Sequence, residues 1–211
     1  MSRIVGLFPI PVMLAEQVLP AELIERLSAW MIRDAALANP KSEALRHTDV
    51  VEPPASDLYL EVRAAVLGHV IEYGSALFGQ SLGWKIKEIW SNVLDPGGAQ
   101  AVHVHTNSFI SGVLYLTESH PSARTVFHRG FGGREFQFTN DNPDAEPGPF
   151  SSSRWTAPPT RAGDLILFPS YLPHEVPVNR GERRLTVAFN AIPDRLDSSG
   201  YAVRFDSGAT H

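Results

Sequence analysis

The sequence predicts an α+β fold, with helices first and an antiparallel sandwich or barrel of about six to eight short strands after them. Apolar residues have helical spacing in the first third of the chain and alternate with polar residues beyond Trp84, and turn signals separate the alternating segments. The chain of 211 residues is 43% hydrophobic, which is enough material for one large domain. We therefore expect a single domain over residues 1–211, with the helices packed outside the sheets.

The N-terminal residues 1–17 combine one arginine with an apolar run, which faintly resembles a secretory signal. Pro9 and Pro11 interrupt that run, and no cleavage site of small residues follows it. We therefore expect an edge strand that enters the fold. Because the sequence contains no uninterrupted apolar run of about 18 residues, we expect no membrane span.

Two segments in the first third predict amphipathic helices. Within residues 20–38, apolar side chains recur at helical spacing, at Leu23, Leu27, Trp30 and Met31. Within residues 56–79, Ser56 is a candidate N-cap, Asp57 stands in the first turn, and Gly79 suits the C-terminal end. The apolar face of this second helix comprises Tyr59, Val62, Val66, Val70, Tyr73 and Leu77.

Beyond the helices, apolar and polar residues alternate with the period of two that β strands require. The predicted strands are residues 84–94, 100–105, 110–116, 164–169 and 184–192. Runs of Asp, Pro, Gly and Asn at residues 95–98 and 179–181 predict turns between strands.

Residues 128–160 interrupt the alternation with many Gly, Pro, Asn and Asp residues. The segment is long for a connection inside one domain, so it is either a functional lid or a variable surface excursion. Its aromatic residues would line an apolar lid or merely anchor the excursion; they include Phe131, Phe136, Phe138 and Trp155.

The composition narrows the class of function. A formal net charge of −5 and a pI near 5.9 give no reason to expect a nucleic-acid partner, so we expect a small-molecule or peptide substrate. The chain contains no cysteine, which excludes disulfides and thiolate metal sites and fits a cytoplasmic location.

His103 and His105 stand two residues apart in a predicted strand, so both side chains project to the same face. Neutral imidazoles in this arrangement can bring two nitrogens to one Fe, Zn, Cu or Ni ion. Taken alone, the pair also fits two partly exposed histidines on a strand. His174, in a proline-rich loop after a buried strand, shifts the balance toward a metal site, since a double-stranded β-helix brings such a loop beside an early strand.

Arg184 and Thr186 lie on one face of the last long predicted strand, together with Ala188 and Asn190. A buried arginine needs an anionic partner, because an unpaired charge in an apolar interior costs several kcal/mol, on the order of 3–5. A dicarboxylate would supply this partner, with Thr186 adding a hydrogen bond. In the alternative arrangement Arg184 points outward into solvent.

An HxH pair, a distal His and R-x-T ten residues later resemble the 2-oxoglutarate/Fe(II)-dependent oxygenases. The closer resemblance is to the bacterial and phage family of 2OG-Fe(II) oxygenases related to the prolyl 4-hydroxylases. Five motifs carry it and cover most of the chain outside the insert: LFPIPV near the N-terminus, Trp90-Ser91-Asn92, HVHTNSFISGVLYL, FPSYLPH and RLTVAFN.

The resemblance implies a double-stranded β-helix, also called a jelly-roll barrel. It implies that Fe(II) is held by His103 and His174 and that 2-oxoglutarate is the cosubstrate, anchored by Arg184 with Thr186 beside it. Tyr115 matches a tyrosine that hydrogen-bonds the same carboxylate; it otherwise reads as a cross-strand aromatic. Such an enzyme is a dioxygenase that hydroxylates a substrate while converting 2-oxoglutarate to succinate and CO₂. For Trp90 we expect a packing role.

His105 departs from the commoner superfamily pattern, HxD/E…H, because it occupies the position of the carboxylate ligand. If His105 binds the metal, the ligand set has no negative charge, which favours Fe(II) over higher oxidation states. Alternatively, His105 turns away and two histidines hold the metal with water or an added anion. Asp95 and Glu175 are further candidate carboxylates, although Asp95 lies in a predicted turn and Glu175 has the wrong alternation beside His174.

Two other functions fit the same residues. A cupin-type enzyme would use His103, His105 and His174 without 2-oxoglutarate, and Gly97 precedes His103 with cupin spacing. The cupin glutamate after HxH is missing, however. A non-catalytic metal-binding β-barrel is the third hypothesis.

Overall fold

The computed structural model describes residues 2–35, 37–38, 42, 44–50, 56–130, 143–146 and 148–206. Two α helices lie within these residues, α1 (Ala21–Asp34) and α2 (Asp57–Phe78), and a short 3-10 helix spans Pro121–Ala123. The first strands are β1 (Met13–Ala15), β2 (Leu37–Ala38), β3 (Leu45–His47), β4 (Trp84–Leu94), β5 (Gln100–His103) and β6 (Ile110–Tyr115). The later strands are β7 (Val126–His128), β8 (Arg154–Thr156), β9 (Leu165–Pro169), β10 (His174–Val176), β11 (Arg184–Pro193), β12 (Arg195–Ser198) and β13 (Tyr201–Arg204).

The strands form two larger sheets and one hairpin. The seven-stranded sheet has the order β1-β9-β6-β11-β4-β3-β2, and the four-stranded sheet has the order β5-β10-β7-β8. Strands β12 and β13 pair only with each other. The described pairs are antiparallel, as the alternating sequence predicts. The described part of the chain is thus mostly β sheet with two α helices, and this part of the predicted fold class is confirmed.

Helix α2 begins and ends where its capping residues predict. The Ser56 hydroxyl accepts a hydrogen bond from the Tyr59 backbone N–H at 3.3 Å, which satisfies one free donor of the first turn. Gly79 ends the helix in the left-handed conformation, with φ of 68°, which only glycine adopts without strain. The predicted apolar face is buried except for Leu77, which packs against the core from a partly buried position.

Helix α1 ends earlier than its apolar spacing predicts. Residues 20–38 were expected to be helical, but the helix stops at Asp34 and Ala35 is extended. Leu37 then pairs with His47 in a short antiparallel ladder that extends the seven-stranded sheet. Strand pairing therefore overrides helix propensity at the end of this segment. None of the described helices combines the length and hydropathy needed to cross a bilayer.

The two faces of β11 contact different layers. One face carries Leu185, Val187 and Phe189, which pack into the core with both helices. The other face carries Arg184, Thr186, Ala188 and Asn190, directly opposite Leu94, Asn92, Trp90 and Glu88 of β4. A second apolar cluster lies on this side, where Tyr115 and Phe168 of the large sheet meet Phe127 of the small sheet. The polar face of β11 is therefore turned toward the small sheet.

The N-terminal expectation of an edge strand is confirmed, because β1 pairs with β9 at the edge of the seven-stranded sheet. The predicted strand over residues 100–105 is shorter than expected, since β5 ends at His103. His105 therefore lies just beyond the strand. Within the insert, residues 131–142 and 147 lie outside the described residues, and with them the aromatic side chains of Phe131, Phe136 and Phe138.

Candidate metal centre

The structure brings His103, His105 and His174 together at one end of the small sheet. His103 and His174 are cross-strand partners of β5 and β10, with ring centroids 4.2 Å apart. The His105 ring lies 5.3 Å from that of His103 and 5.0 Å from that of His174. One ring nitrogen from each residue lies within 4.8 Å of the others. Three imidazoles thus surround one point, and His105 does not turn away.

The hydrogen bonds of His103 and His174 define which ring nitrogen carries the proton. Nδ1 of His103 lies 2.8 Å from the Ala101 carbonyl oxygen, and Nδ1 of His174 lies 2.9 Å from that of Leu172. A carbonyl oxygen only accepts, so each Nδ1 carries the proton and donates. Each Nε2 therefore keeps its lone pair, which is the form that binds a metal.

Side chains, and not backbone carbonyls, hold His105 in the same tautomer, with the proton on Nδ1. Its Nδ1 lies 2.7 Å from Asn190 Oδ1 and 2.8 Å from the Ser111 hydroxyl. The Asn190 amide nitrogen donates to the Glu88 carboxylate, so Oδ1 is the atom that faces His105. An amide oxygen accepts only, and His105 Nδ1 must donate to it. All three imidazoles therefore carry the proton on Nδ1 and present Nε2 as an acceptor. Nε2 of His103 lies 3.3 Å from the Gln100 amide nitrogen, which donates to it, and a bound metal would replace that contact.

Burial keeps two of the imidazoles neutral. It lowers the pKa of His105 to about 4 and that of His174 to about 3 from the ordinary value of 6.5. The Phe168 ring, 4.6 Å from that of His174, contributes to this apolar surrounding. Because a protonated imidazole cannot bind a cation, this environment prepares both side chains for a metal at neutral pH. Three neutral nitrogen ligands suit Fe, Zn, Cu or Ni.

The two carboxylates considered as alternative ligands are engaged elsewhere. Asp95 accepts from Arg183 at 2.6 Å and from Arg46 at 3.2 Å. The Glu175 carboxylate lies 3.0 Å from Nε2 of His128. Among the described residues, neither joins the group of potential metal ligands.

Arg184 lies buried between the sheets, as one of its two predicted arrangements requires. Its side chain donates weakly to Thr186 Oγ1 and Thr125 Oγ1, both at 3.4 Å. Its Nε is buried and has no hydrogen-bond partner. Within the described part of the chain, no carboxylate pairs with this guanidinium. A buried cation without an anion is costly, so the arrangement fits an anionic ligand.

Tyr115 lies beside this guanidinium. Its ring is fully buried with Arg184 Cζ 5.0 Å from the ring centroid, and its hydroxyl lies 2.8 Å from Thr125 Oγ1. Tyr115 is also the cross-strand neighbour of Thr186. Thr125 links Tyr115 to Arg184, and sequence reasoning missed it because the segment before β7 has no periodic pattern. Thr125 lies beside Tyr115 and Arg184 because the strand that follows it, β7, pairs with β10.

An open cleft of about 380 Å³ adjoins His105. It is lined mainly by polar side chains: Val50, Lys87, Glu88, Trp90, His105, Thr106, Asn107 and Asn190. The expectation that Trp90 is a packing residue is incomplete. The side chain is only partly buried, and its ring stands edge-on to His105 at 5.5 Å while lining the cleft.

Comparison with known families matches residues 88–190 to the family described as "Putative 2OG-Fe(II) oxygenase". The matched region contains all three histidines, Tyr115, Arg184 and Thr186. Comparison with curated proteins finds no match.

Several solved structures share the fold. HygX from Streptomyces hygroscopicus, solved with nickel and 2-oxoglutarate bound, is 16% identical with a TM-score of 0.62, over 87% of this chain and 83% of its own. The epimerase SnoN of nogalamycin biosynthesis, described as non-heme and alpha-ketoglutarate-dependent, is 14% identical with a TM-score of 0.61, over 95% and 83%. A prolyl-4-hydroxylase from Pseudomonas putida is 22% identical with a TM-score of 0.55, over 86% and 92%.

Proposed function

Since residues 88–190 make this chain a member of the 2OG-Fe(II) oxygenase family, we propose that His103, His105 and His174 hold Fe(II) and that Arg184 anchors 2-oxoglutarate. The resemblance stated from the sequence is thereby confirmed at the level of the family. The roles of individual residues are our proposal. The observation that carries it is the convergence of three imidazoles on the side of the large sheet where a buried guanidinium lacks an anionic partner among the described residues.

The metal part of the proposal depends on three neutral nitrogen donors. The Nδ1 protons of His103 and His174 are held by backbone carbonyls, and that of His105 by Asn190. These bonds orient the rings before the metal arrives, which reduces the cost of assembling the ligand set.

The cosubstrate part depends on Arg184, Thr186 and Tyr115. The guanidinium would pair with the distal carboxylate of 2-oxoglutarate, and the Thr186 and Tyr115 hydroxyls would donate hydrogen bonds to it. The Tyr115 hydroxyl is hydrogen-bonded to Thr125, so this hydroxyl is already held near the guanidinium. This subsite also argues against the cupin-type alternative, which has no need for a buried arginine.

His103, His105 and His174 would hold Fe(II) and Arg184 would hold 2-oxoglutarate, which together would supply an oxidation that uses O₂, yields succinate and CO₂, and inserts one oxygen atom into a substrate C–H bond. The chain contributes the ligands, the anchoring cation and the apolar wall of Phe168 and Phe127 that excludes water. No residue beyond the metal site is proposed to transfer a proton.

For the substrate we propose a small polar molecule that enters through the cleft beside His105. HygX has been solved with hygromycin B bound, which supports a small-molecule substrate without identifying it. The polar lining of the cleft, with Lys87, Glu88 and Asn107, supports a ligand that forms hydrogen bonds.

Four broader expectations also belong to this proposal. We propose that the two sheets form a double-stranded β-helix, which the fold similarity to HygX and SnoN supports. We propose that residues 1–211 form one domain, since the seven-stranded sheet combines strands from Met13 to Pro193. A lid role for residues 128–160 and a cytoplasmic location stay predictions.

Anaerobic titration tests the proposed function. Addition of Fe(II) and 2-oxoglutarate to the wild-type protein should give a weak visible charge-transfer band, and Arg184→Leu should lose it at the same 2-oxoglutarate concentration. Arg183→Leu, which changes the adjacent exposed arginine, should keep the band. Metal binding without any band at saturating 2-oxoglutarate would favour a cupin-type enzyme. Metal binding without succinate formation on broad substrate panels would favour a non-catalytic protein.

A further inference from the structure

Strand β4 contains a bulge beside the metal centre. Asn190 of β11 pairs with Glu88, whereas the next residue, Ala191, pairs with Ile86. The register therefore shifts by one residue at Lys87 of β4. A bulge of this kind redirects side chains and is common next to active sites. Its effect here is that two consecutive charged residues, Lys87 and Glu88, both line the cleft beside His105.

The regular register on the near side of the bulge places Glu88 opposite Asn190, and the two side chains are in contact. The Asn190 amide nitrogen donates to Glu88 Oε1, and Asn190 Oδ1 accepts from His105 Nδ1 at 2.7 Å. The Ser111 hydroxyl also donates to Asn190 Oδ1, at 2.7 Å. Because a carboxylate accepts only, Glu88 determines which end of the Asn190 amide faces His105. Glu88 thereby selects the His105 tautomer whose Nε2 is free.

Glu88 also brings a negative charge close to a neutral ligand set. Three imidazoles contribute no charge, and the carboxylates of Asp95 and Glu175 are paired elsewhere. The Glu88 side chain is 14% exposed, so solvent screens its charge only partly. Lys87 Nζ lies 3.0 Å from Glu88 Oε2 and offsets part of that charge.

We propose that Glu88 is a positioning residue for the metal centre: acting through Asn190, it holds His105 in the metal-binding tautomer and supplies the negative charge that the three-histidine ligand set lacks. This inference rests on the proposed function. In the commoner family pattern a carboxylate binds the metal directly; here the carboxylate stands two hydrogen bonds farther out. An anion at that distance strengthens binding of a divalent cation and stabilises Fe(III) relative to Fe(II).

The competing explanation is purely structural. In that case Glu88 only pairs with Lys87 and joins β4 to β11, and any loss in a variant would come from a disturbed bulge. The two explanations differ for Lys87→Met. A structural role predicts that Lys87→Met and Glu88→Gln act alike, because both break the same ion pair. A charge role predicts opposite effects, because removing the Lys87 cation makes the local charge more negative, whereas removing the Glu88 charge makes it less negative.

The experiment measures two quantities on purified protein without substrate: the dissociation constant for Fe(II) and the Fe(III)/Fe(II) midpoint potential. Glu88→Gln keeps an acceptor for Asn190 but removes the charge, so it should weaken Fe(II) binding by about 10- to 100-fold and raise the midpoint potential. Lys87→Met should lower the potential. Glu88→Asp should restore the potential toward that of wild type.

The control is Glu72→Gln, which removes the same charge from an exposed position on α2. Because α2 packs on the other face of the large sheet, this variant should change neither the dissociation constant nor the midpoint potential.

A third readout does not need the metal. The nitrogen-15 shifts of His105 in the metal-free protein report its tautomer, which should be Nδ1–H in wild type and mixed in Glu88→Ala. Thermal unfolding of each metal-free variant checks that it is folded.

Three outcomes separate the possibilities. Shifts of opposite sign in Glu88→Gln and Lys87→Met would support the inference. Wild-type affinity, potential and tautomer in Glu88→Gln and Glu88→Ala would overturn it while leaving the proposed function intact. Absence of Fe(II) binding by the wild-type protein would overturn both.

Discussion

The side chains of this site are arranged before any ligand binds. Each of the three imidazoles donates its Nδ1 proton to an oxygen, and the Arg184 guanidinium lies buried without a carboxylate partner in the described part of the chain. The buried guanidinium costs stability when no anion is bound, because a cation is held away from water. Burial of His105 and His174 costs stability only in acid, where these rings would otherwise take up a proton.

Replacement of Arg184 should have opposite effects on the free energy of unfolding and on the binding of 2-oxoglutarate. Arg184→Met removes an unpaired buried charge and keeps most of its volume, so the free energy of unfolding should rise by about 1–4 kcal/mol. Binding of 2-oxoglutarate should be lost in the same variant. Urea unfolding and a binding titration measure the two effects. Arg183→Met is the control, and its effect on stability should stay below about 1 kcal/mol because that arginine is exposed. A destabilised Arg184→Met protein would mean that the guanidinium is already well paired.

Stability of the metal-free protein should fall in acid. Burial lowers the pKa of His105 to about 4 and that of His174 to about 3, so below pH 6.5 the unfolded chain binds protons that the folded chain excludes. The free energy of unfolding should then fall, between about pH 6.5 and pH 4, by up to about 1.4 kcal/mol per pH unit for each ring. Urea unfolding across this range, with a chelator present, measures the slope. The slope of the free energy of unfolding against pH should be shallower in His174→Gln. An unchanged slope would contradict the lowered pKa of His174.

Substitution of His105 tests whether an acidic residue can serve in its place. His105→Ala should weaken Fe(II) binding strongly, because one of three ligands is lost. His105→Asp supplies the carboxylate of the commoner family pattern, so it should bind Fe(II) more tightly than His105→Ala. Equal affinities of the two variants would show that position 105 does not reach the metal. Isothermal titration under anaerobic conditions measures the constants.

At the scale of elements, alternation predicted the long strands because their two faces contact different surroundings. Leu185, Val187 and Phe189 face the helices, and the intervening residues face the small sheet. The same rule failed at the β4 bulge, where Lys87 and Glu88 are consecutive polar residues. Two adjacent charges inside an otherwise alternating strand were the available signal for the irregularity. The contact between Glu88 and Asn190 depends on cross-strand register, which a single sequence does not reveal.

Strand β5 is a second place where the structure differs from the strand that the alternating pattern predicts. The HxH motif predicted two histidines on one strand face, whereas the strand ends at His103 and the His105 backbone N–H instead donates to the Ser170 carbonyl at 3.0 Å. The side chains still converge, because Asn190 and Ser111 hold His105 in place. The candidate ligands were thus predictable from spacing, but the contacts that orient them were not.

The cap of α2 offers a test at this scale. Ser56→Ala removes the acceptor of the Tyr59 backbone N–H and should lower the free energy of unfolding by about 1 kcal/mol. The dissociation constant for Fe(II) should not change, since α2 packs on the face of the large sheet opposite the histidines. Chemical denaturation and metal titration of the same preparation measure both. A change in metal affinity would show that α2 and the site are coupled.

At the scale of the whole molecule, the two faces of the large sheet have different roles: one packs against the helices and the other carries the candidate site. One face and both helices form the main apolar core, while the other face and the small sheet enclose the histidines and Arg184. HygX, SnoN and the prolyl-4-hydroxylase are 14–22% identical to the chain, so they show the architecture and leave the substrate open. The general function was predictable because its ligands lie in short motifs. The substrate was not, because the cleft combines residues from β4, the loop after β5, and Val50.

The central claim is that three histidines and one arginine hold Fe(II) and 2-oxoglutarate. A crystal structure of the wild-type protein grown anaerobically with Fe(II) and 2-oxoglutarate tests it most directly. The account predicts a metal bound by Nε2 of His103, His105 and His174 at about 2.0–2.2 Å, with the distal carboxylate of 2-oxoglutarate on Arg184. A metal held by only two of these histidines, or 2-oxoglutarate bound away from Arg184, would contradict it.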